Sequence, residues 1–363
     1  MHRILLKNVF YSLVLGFCVP AAAQTASFSS LDGTQVKALV FHPPASSNDQ
    51  ASRGTVIALH GCGGLYATTG SRKGQLNARH QAMADLLVAE GYNAVFPDSL
   101  TPRGETELCN QKIGTRKIDQ TERRADVLGT LAWVATQPWA QPGRVALLGW
   151  SHGGSAVLSA TDASRADVRG QAKPAVAVAF YPGCSSALRS GYKPSTTLVL
   201  MLGEKDDWTP PAPCVELGKV VGAEVNVFAD SYHDFDNPVG QVRLRKDVPN
   251  GVNPGQGVHV GPNPAAREQA HTFALAASQS FEALIATPVT HQKQRHRSSP
   301  MPGETADQPD NPPCISAATD CDAAQHSPEF HPLLTRAYAP PPRPAPGQPH
   351  ARPGHRRKQT AGR

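Results

Sequence analysis

Ser151 stands in the run Gly149-Trp150-Ser151-His152-Gly153, after the apolar stretch Val145–Leu148 and before small residues that continue to about Ala160. A serine hydroxyl becomes a nucleophile only when a base takes its proton and a carboxylate orients that base. The Gly-x-Ser-x-Gly pattern at a strand-to-helix turn holds the serine at a tight, exposed apex. The glycines make room for the turn, and the helix that follows aims its positive N-terminus at the site. The chemistry open to such a serine is acyl transfer. Because Gly-Ser-Gly turns are common, the assignment depends on partners elsewhere in the chain.

The partners are expected in the order serine, acid, histidine, each on a loop after a strand. After the strand Thr197–Leu202 come Glu204, Asp206 and Asp207. Asp206 is the expected acid; Asp207 is the runner-up, expected to hold the loop, and Glu204 is third. After the strand Glu224–Phe228 comes His233, the expected base. The other downstream histidines inside the domain are His259, in a Gly-rich loop, and His271, in the last helix. Asp234 and Asp236 beside His233 open a metal reading, but two carboxylates and one histidine on an irregular loop are weak evidence for it. No metal and no cofactor are expected.

A developing oxyanion needs two preorganised N–H donors. The backbone of His152 is one candidate. The other lies in His60-Gly61-Cys62-Gly63-Gly64, with Cys62 the expected donor and Gly63 second. No Gly-Lys-Ser/Thr follows this loop, which argues against a phosphate cradle. Tyr66, Arg103, Trp150, Tyr181 and Trp208 fall on loops at the same sheet edge and are candidates for substrate contact, Arg103 as a grip for a carboxylate. For the aromatic residues the alternative is packing under the loops, and for Arg103 a surface ion pair.

The elements that must position these residues alternate. Ala26–Ser30 and Gln35–Phe41 flank a turn at Asp32-Gly33. Strands are expected at Thr55–His60, Asn93–Pro97, Val145–Leu148, Ala175–Phe180, Thr197–Leu202 and Glu224–Phe228. Helices are expected at Gln75–Glu90, at Thr121–Thr136 with Ala125, Leu128, Ala132 and Ala135 on one face, after Ser151, and at Pro264–Ile285. Such alternation implies an α/β fold with a mainly parallel sheet and helices on both faces.

The first 23 residues read as an export signal, removed near Ala23. Arg3 and Lys7 precede the apolar Val9–Val19, and Ala21-Ala22-Ala23 precedes Gln24. The apolar stretch is too short to span a bilayer, so no stable membrane insertion is expected. Cys18 does not suggest a lipoprotein, because bulky Phe17 precedes it. From residue 287 to 363 the composition turns Pro-rich and basic: 15 of the 33 prolines lie between Pro288 and Pro353. With no apolar periodicity left, this tail is expected to be disordered. Residues 24–286 are expected to form the folded domain; they hold 23 basic and 23 acidic residues. The basic balance belongs to the ends, and charge gives no support to nucleic-acid binding by the domain.

The four motifs at His60–Gly64, Gly149–Gly154, Gly203–Pro210 and Tyr232–Asp236 together resemble exported members of the dienelactone hydrolase family, and the resemblance extends over about Ser27–Ile285. It implies an α/β-hydrolase fold and a catalytic triad of Ser151, Asp206 and His233. The family's name-giving enzymes are cysteine hydrolases, whereas this turn carries serine. That departure favours a general ester or lactone hydrolase acting on a small molecule. The alternatives are a peptidase or polyester depolymerase on the same triad, and a non-catalytic binding protein on the same fold. The sequence does not specify an oligomeric state. Six cysteines follow the signal, none in the Cys-x2-Cys spacing of zinc sites, and allow 15 pairings. In an exported protein they invite disulfides; the pairs expected from loop positions are Cys62 with Cys109 and Cys184 with Cys214.

Overall fold

The computed structural model describes residues 23–44 and 52–285, with side chains to residue 278. The expected export signal, apart from its last residue Ala23, and the Pro-rich tail lie outside the described residues. A hairpin, β1 (Gln24–Ser29) and β2 (Gln35–Phe41), opens the chain. It is followed by β3 (Gly54–Leu59), α1 (Ala78–Ala89), β4 (Tyr92–Asp98), α2 (Gln120–Ala135), β5 (Val145–Trp150) and α3 (His152–Ala160). Then come β6 (Val176–Phe180), α4 (Ser185–Ser190), β7 (Thr197–Gly203), α5 (Ala212–Val221) and β8 (Glu224–Phe228). A short hairpin, β9 (Arg243–Arg245) and β10 (Val258–Val260), precedes α6 (Pro264–Ile285).

Eight strands form one sheet in the order β1-β2-β4-β3-β5-β6-β7-β8. The two pairings made by β2 are antiparallel and all others are parallel. This agrees with the α/β reading, and the parallel strands place their C-terminal ends, where α/β sheets bind ligands, along one edge.

Two apolar layers cover the sheet, as the two-residue period of a strand requires. On one face Ile57, Leu59, Leu147, Ala177, Ala179 and Leu200 pack with Val127, Leu128 and Leu131 of α2, Ala156 and Val157 of α3 and Leu217 of α5. On the other, Val56, Ala58, Ala146, Leu148, Val178 and Phe180 pack with Met83, Ala84 and Leu87 of α1 and Ala266 and Ala270 of α6. Sequence periodicity would start α1 at Gln75, but Asn77 is the cap: its side chain accepts from the His80 N–H at 3.1 Å, and the helix begins at Ala78. Asp119 and Glu122 form a capping box at the start of α2. Two helices, α4 and α5, and the β9–β10 hairpin were not legible as elements. Pro211 stands at the cap of α5 and Pro213 in its first turn, where a missing N–H costs nothing. Among the described residues no helix is long and apolar enough to cross a membrane.

Candidate active site

Ser151 is the hinge between β5 and α3, with φ 53° and ψ −114°. A non-glycine residue at positive φ is held there at some cost, which the surrounding packing must offset. The packing is tight: a Cβ on Gly149 would run into the Gly153 carbonyl, and one on Gly153 into the Leu59 carbonyl. Ser151 N–H donates to the Phe180 carbonyl at 2.9 Å, which fixes the turn to β6. The His152 N–H opens α3, where first-turn donors have no acceptor within the helix.

Asp206 and His233 are brought together and buried. His233 Nδ1 lies 2.7 Å from Asp206 Oδ2, and the two side chains are each 1% exposed. The carboxylate is oriented by the N–H groups of Trp208 and Thr209, both 2.9 Å from Oδ1. This arrangement assigns the histidine proton to Nδ1 and leaves the lone pair on Nε2. Among the described residues Nε2 has no hydrogen-bond partner, and His233 and Ser151 line the same cavity of about 500 Å3. The imidazole is packed between Tyr181 and Trp208, at centroid distances of 4.4 and 4.6 Å.

Asp207 faces a different partner. Its carboxylate accepts from His259 N–H at 2.8 Å and meets His259 Nδ1 at 2.7 Å, while its carbonyl accepts from Val252 at 2.8 Å. It therefore ties the β9–β10 hairpin to the acid loop. His259 belongs to β10, not to a loop as the glycines around it suggested. Glu204 accepts from the Asp230 N–H at 3.1 Å on the surface. His271 sits in α6, and burial lowers its pKa.

The loop after β3 closes the other side of the cavity. Gly61 and Gly64 form a turn, Gly64 N–H to Gly61 carbonyl at 3.3 Å, and Cys62 and Gly63 face the cavity. Cys62 is joined to Cys109, and Cys184 to Cys214. His60 is fully buried behind the loop; its Nε2 accepts from Ser99 N–H at 3.2 Å, so Nδ1 carries the proton and donates to the Gly61 carbonyl at 2.8 Å. The buried Arg123 guanidinium donates to the His60 carbonyl at 2.8 Å, and burial lowers its pKa to about 10.

Of the expected substrate contacts, Tyr66 and Trp208 line the cavity. Arg103 and Trp150 do not, and both expectations are corrected. Arg103 is committed to Asp126, at 2.9 Å to each carboxylate oxygen, and to Asp32 at 2.7 Å, so it ties the turn after β4 to α2 and the first hairpin. Trp150 is 0% exposed and donates its indole N–H to Asp236 at 2.6 Å. It lies on the same strand face as Ala146 and Leu148. Tyr181 is buried too, with its hydroxyl 2.5 Å from the other Asp236 oxygen. Asp234 pairs with Arg79 at 2.6 Å; burial works against its charge, but Arg79 outweighs this and lowers its pKa. Asp234 and Asp236 are thus anchors of the His233 loop. Arg79 is the residue that sequence reasoning missed: it sits in the first turn of α1, far from every motif.

Two histidines under the site make the fold sensitive to acid. Burial and Arg123 hold His60 well below its usual pKa, and burial and Arg79 push His80 down to about 3. An unfolded histidine titrates near 6.5. Below that pH the unfolded chain takes up protons that the native state refuses, so stability is full above about 6.5 and falls as pH drops. His80 should cost about 2 kcal/mol by pH 5, and His60 adds a loss of the same sign. The melting temperature should therefore fall between pH 7.5 and 5, and His80→Gln should flatten the slope. A melting temperature independent of pH over this interval would contradict the assignment.

The sequence matches the profile of the dienelactone hydrolase family over residues 67–275, more than half of the chain. No curated protein matches significantly. Among solved structures, a dienelactone hydrolase-like promiscuous phosphotriesterase from metagenomic libraries is 16% identical, with TM-score 0.53 over 73% of this chain and 99% of that one. Dienelactone hydrolase from Anabaena variabilis is 20% identical, with TM-score 0.45 over 61% and 91% of the two chains. Esterase 2 of Thermogutta terrifontis, phosphorylated by paraoxon, is 15% identical, with TM-score 0.48 over 73% and 96%. At 16% identity the phosphotriesterase speaks for the fold alone. The profile match carries the assignment: this chain is a member of the dienelactone hydrolase family, with serine at the turn after β5.

Proposed function

We propose that this hydrolase is an exported serine enzyme that cleaves carboxylic esters or lactones through Ser151, His233 and Asp206. The observation that carries the reading is the buried Asp206–His233 pair, whose Nε2 has no partner among the described residues and whose histidine lines the same cavity as Ser151. In the first step His233 Nε2 takes the Ser151 proton as Oγ attacks the substrate carbonyl. The tetrahedral oxyanion is held by the N–H groups of Cys62 and His152, and the leaving alcohol receives the proton from His233. In the second step His233 activates water, which releases the acid and restores Ser151. Asp206 keeps the imidazole in the required tautomer throughout and stabilises its charged form.

A cavity of about 500 Å3 is in the range for small ligands, which supports a small ester or lactone over a polymer chain. Its walls are polar. Arg79 meets Asp234, and Arg245 meets Glu107 and Asp247, within the lining itself. Two disulfides fit an oxidising compartment and so support export. The test is covalent trapping: a fluorophosphonate should add once per folded chain and remove p-nitrophenyl acetate hydrolysis in proportion. A folded protein that neither reacts nor hydrolyses short esters would favour the binding-protein alternative.

A further inference from the structure

The oxyanion loop is fixed by unequal means at its two ends. Its N-terminal side continues β3 and is gripped by Arg123 on the His60 carbonyl at 2.8 Å. Gly61 lies against the nucleophile: a Cβ there would stand 3.3 Å from the Trp150 carbonyl and 3.6 Å from Ser151 Cβ. Cys62, the next residue, has its carbonyl held by the Leu108 N–H at 2.8 Å and its sulfur held by Cys109. Gly64, at φ 76°, rests against the Thr106 carbonyl. The C-terminal side of the loop thus leans on residues 106–109. That segment belongs to neither helix nor strand, since only turns and bends lie between the short helical turn Thr101–Arg103 and α2. One backbone hydrogen bond would be a weak tether for it, worth about 1 kcal/mol net. The covalent bond is the strong one, and Cys62 and Cys109 both line the cavity.

We propose that the Cys62–Cys109 disulfide is a positioning device for the oxyanion hole, so that the rate of acyl transfer at Ser151 depends on this bridge being formed. The inference rests on the serine-hydrolase reading above. It makes Cys109 a positioning residue, acting through the Cys62 peptide N–H. A dithiol reductant supplies the two electrons and two protons that convert the bridge to two thiols, and is itself oxidised to a disulfide. The Cys62 N–H then loses its fixed place. Removing an oxyanion donor outright costs about 10²–10³ in kcat, and loosening one should cost less.

Cys62→Ser/Cys109→Ser should therefore lower kcat for p-nitrophenyl acetate about 10- to 100-fold and leave KM within about twofold, because the donor acts on the transition state. Val36→Ala, at a buried position of β2 in the first hairpin, should lower the melting temperature and leave kcat alone. Should the double variant fail to fold, Cys184→Ser/Cys214→Ser leaves Cys62–Cys109 as the bridge under test. In that protein kcat should drop by the same factor on reduction with dithiothreitol and return on reoxidation. A reduced form that keeps its kcat, or a loss seen in KM alone, overturns the proposal. Ser151→Ala, measured alongside, separates the two levels. If it retains turnover, the serine assignment falls and the positioning role falls with it. If it is inactive while Cys62→Ser/Cys109→Ser keeps full kcat, the positioning role alone is overturned.

Discussion

Ser151→Ala should lower kcat for a short p-nitrophenyl ester by about 10⁴-fold or more while the protein keeps its fold and melting temperature. The loss corresponds to about 5 kcal/mol or more of transition-state stabilisation. It is large because the reaction would lose the hydroxyl at the strained turn after β5 that the buried Asp206–His233 pair serves. The two cysteines that line the cavity, Cys62 and Cys109, are bonded to each other and have no thiolate to offer. Residual activity should come from the oxyanion donors and from binding, which survive the substitution. His233→Ala should fall into the same range, and the double variant should be little worse than either single one, because the two residues act as a unit. A Ser151→Ala protein with a rate near that of the parent would remove the nucleophile assignment outright.

Asp206→Asn and Asp207→Asn, neighbours in sequence and alike in chemistry, should differ by orders of magnitude. Asp206 holds the His233 proton on Nδ1 from a site 4% exposed, with two backbone N–H groups fixing its other oxygen. An asparagine there offers an N–H where the imidazole also presents one, so the tautomer turns and the base is lost, at a cost of about 10⁴ in kcat. Asp207 faces His259, whose side chain is 43% exposed, and its own side chain is 30% exposed. Its replacement should loosen the β9–β10 hairpin, change kcat by less than about tenfold and lower the melting temperature slightly. Steady-state kinetics of the two variants on one ester check the pair. An active Asp206→Asn beside an inactive Asp207→Asn would reverse the acid assignment.

What could be read from the sequence followed from periodicity and chain order. Buried strands alternating with helices forced a parallel sheet, and a parallel sheet puts the loops after β3, β5, β7 and β8 on one edge. Candidates on those loops could therefore be named before any contact was known, and Asp206 with His233 meet at 2.7 Å. Trp150 shows where that reasoning stopped too early. It lies on the correct edge, but the two-residue alternation with Ala146 and Leu148 already turns its ring into the core. Arg103 could not have been placed in this way. Its partners, Asp32 and Asp126, come from a hairpin and a helix far away in the chain, and only the fold brings them to it. Arg79 was silent for the same reason, since its salt bridge with Asp234 joins α1 to the loop after β8. The β9–β10 hairpin escaped notice because each strand has three residues, too few to show a period, and its connection is rich in glycine.

The two residues in doubt around the acid show how local chemistry and tertiary contact divide the work. Both aspartates fit a turn after β7. What distinguishes them is the histidine each one meets, and both histidines come from segments about 30 to 50 residues further along the chain. Sequence order favoured His233 because it follows a strand directly, and the short β10 that carries His259 was not visible.

The most direct test of the central claim is a peptide map of the folded protein after reaction with a fluorophosphonate. A single added mass is expected on the peptide that contains Ser151, lost in His233→Ala. A protein that hydrolyses esters yet carries the label on another residue, or carries none, would contradict it.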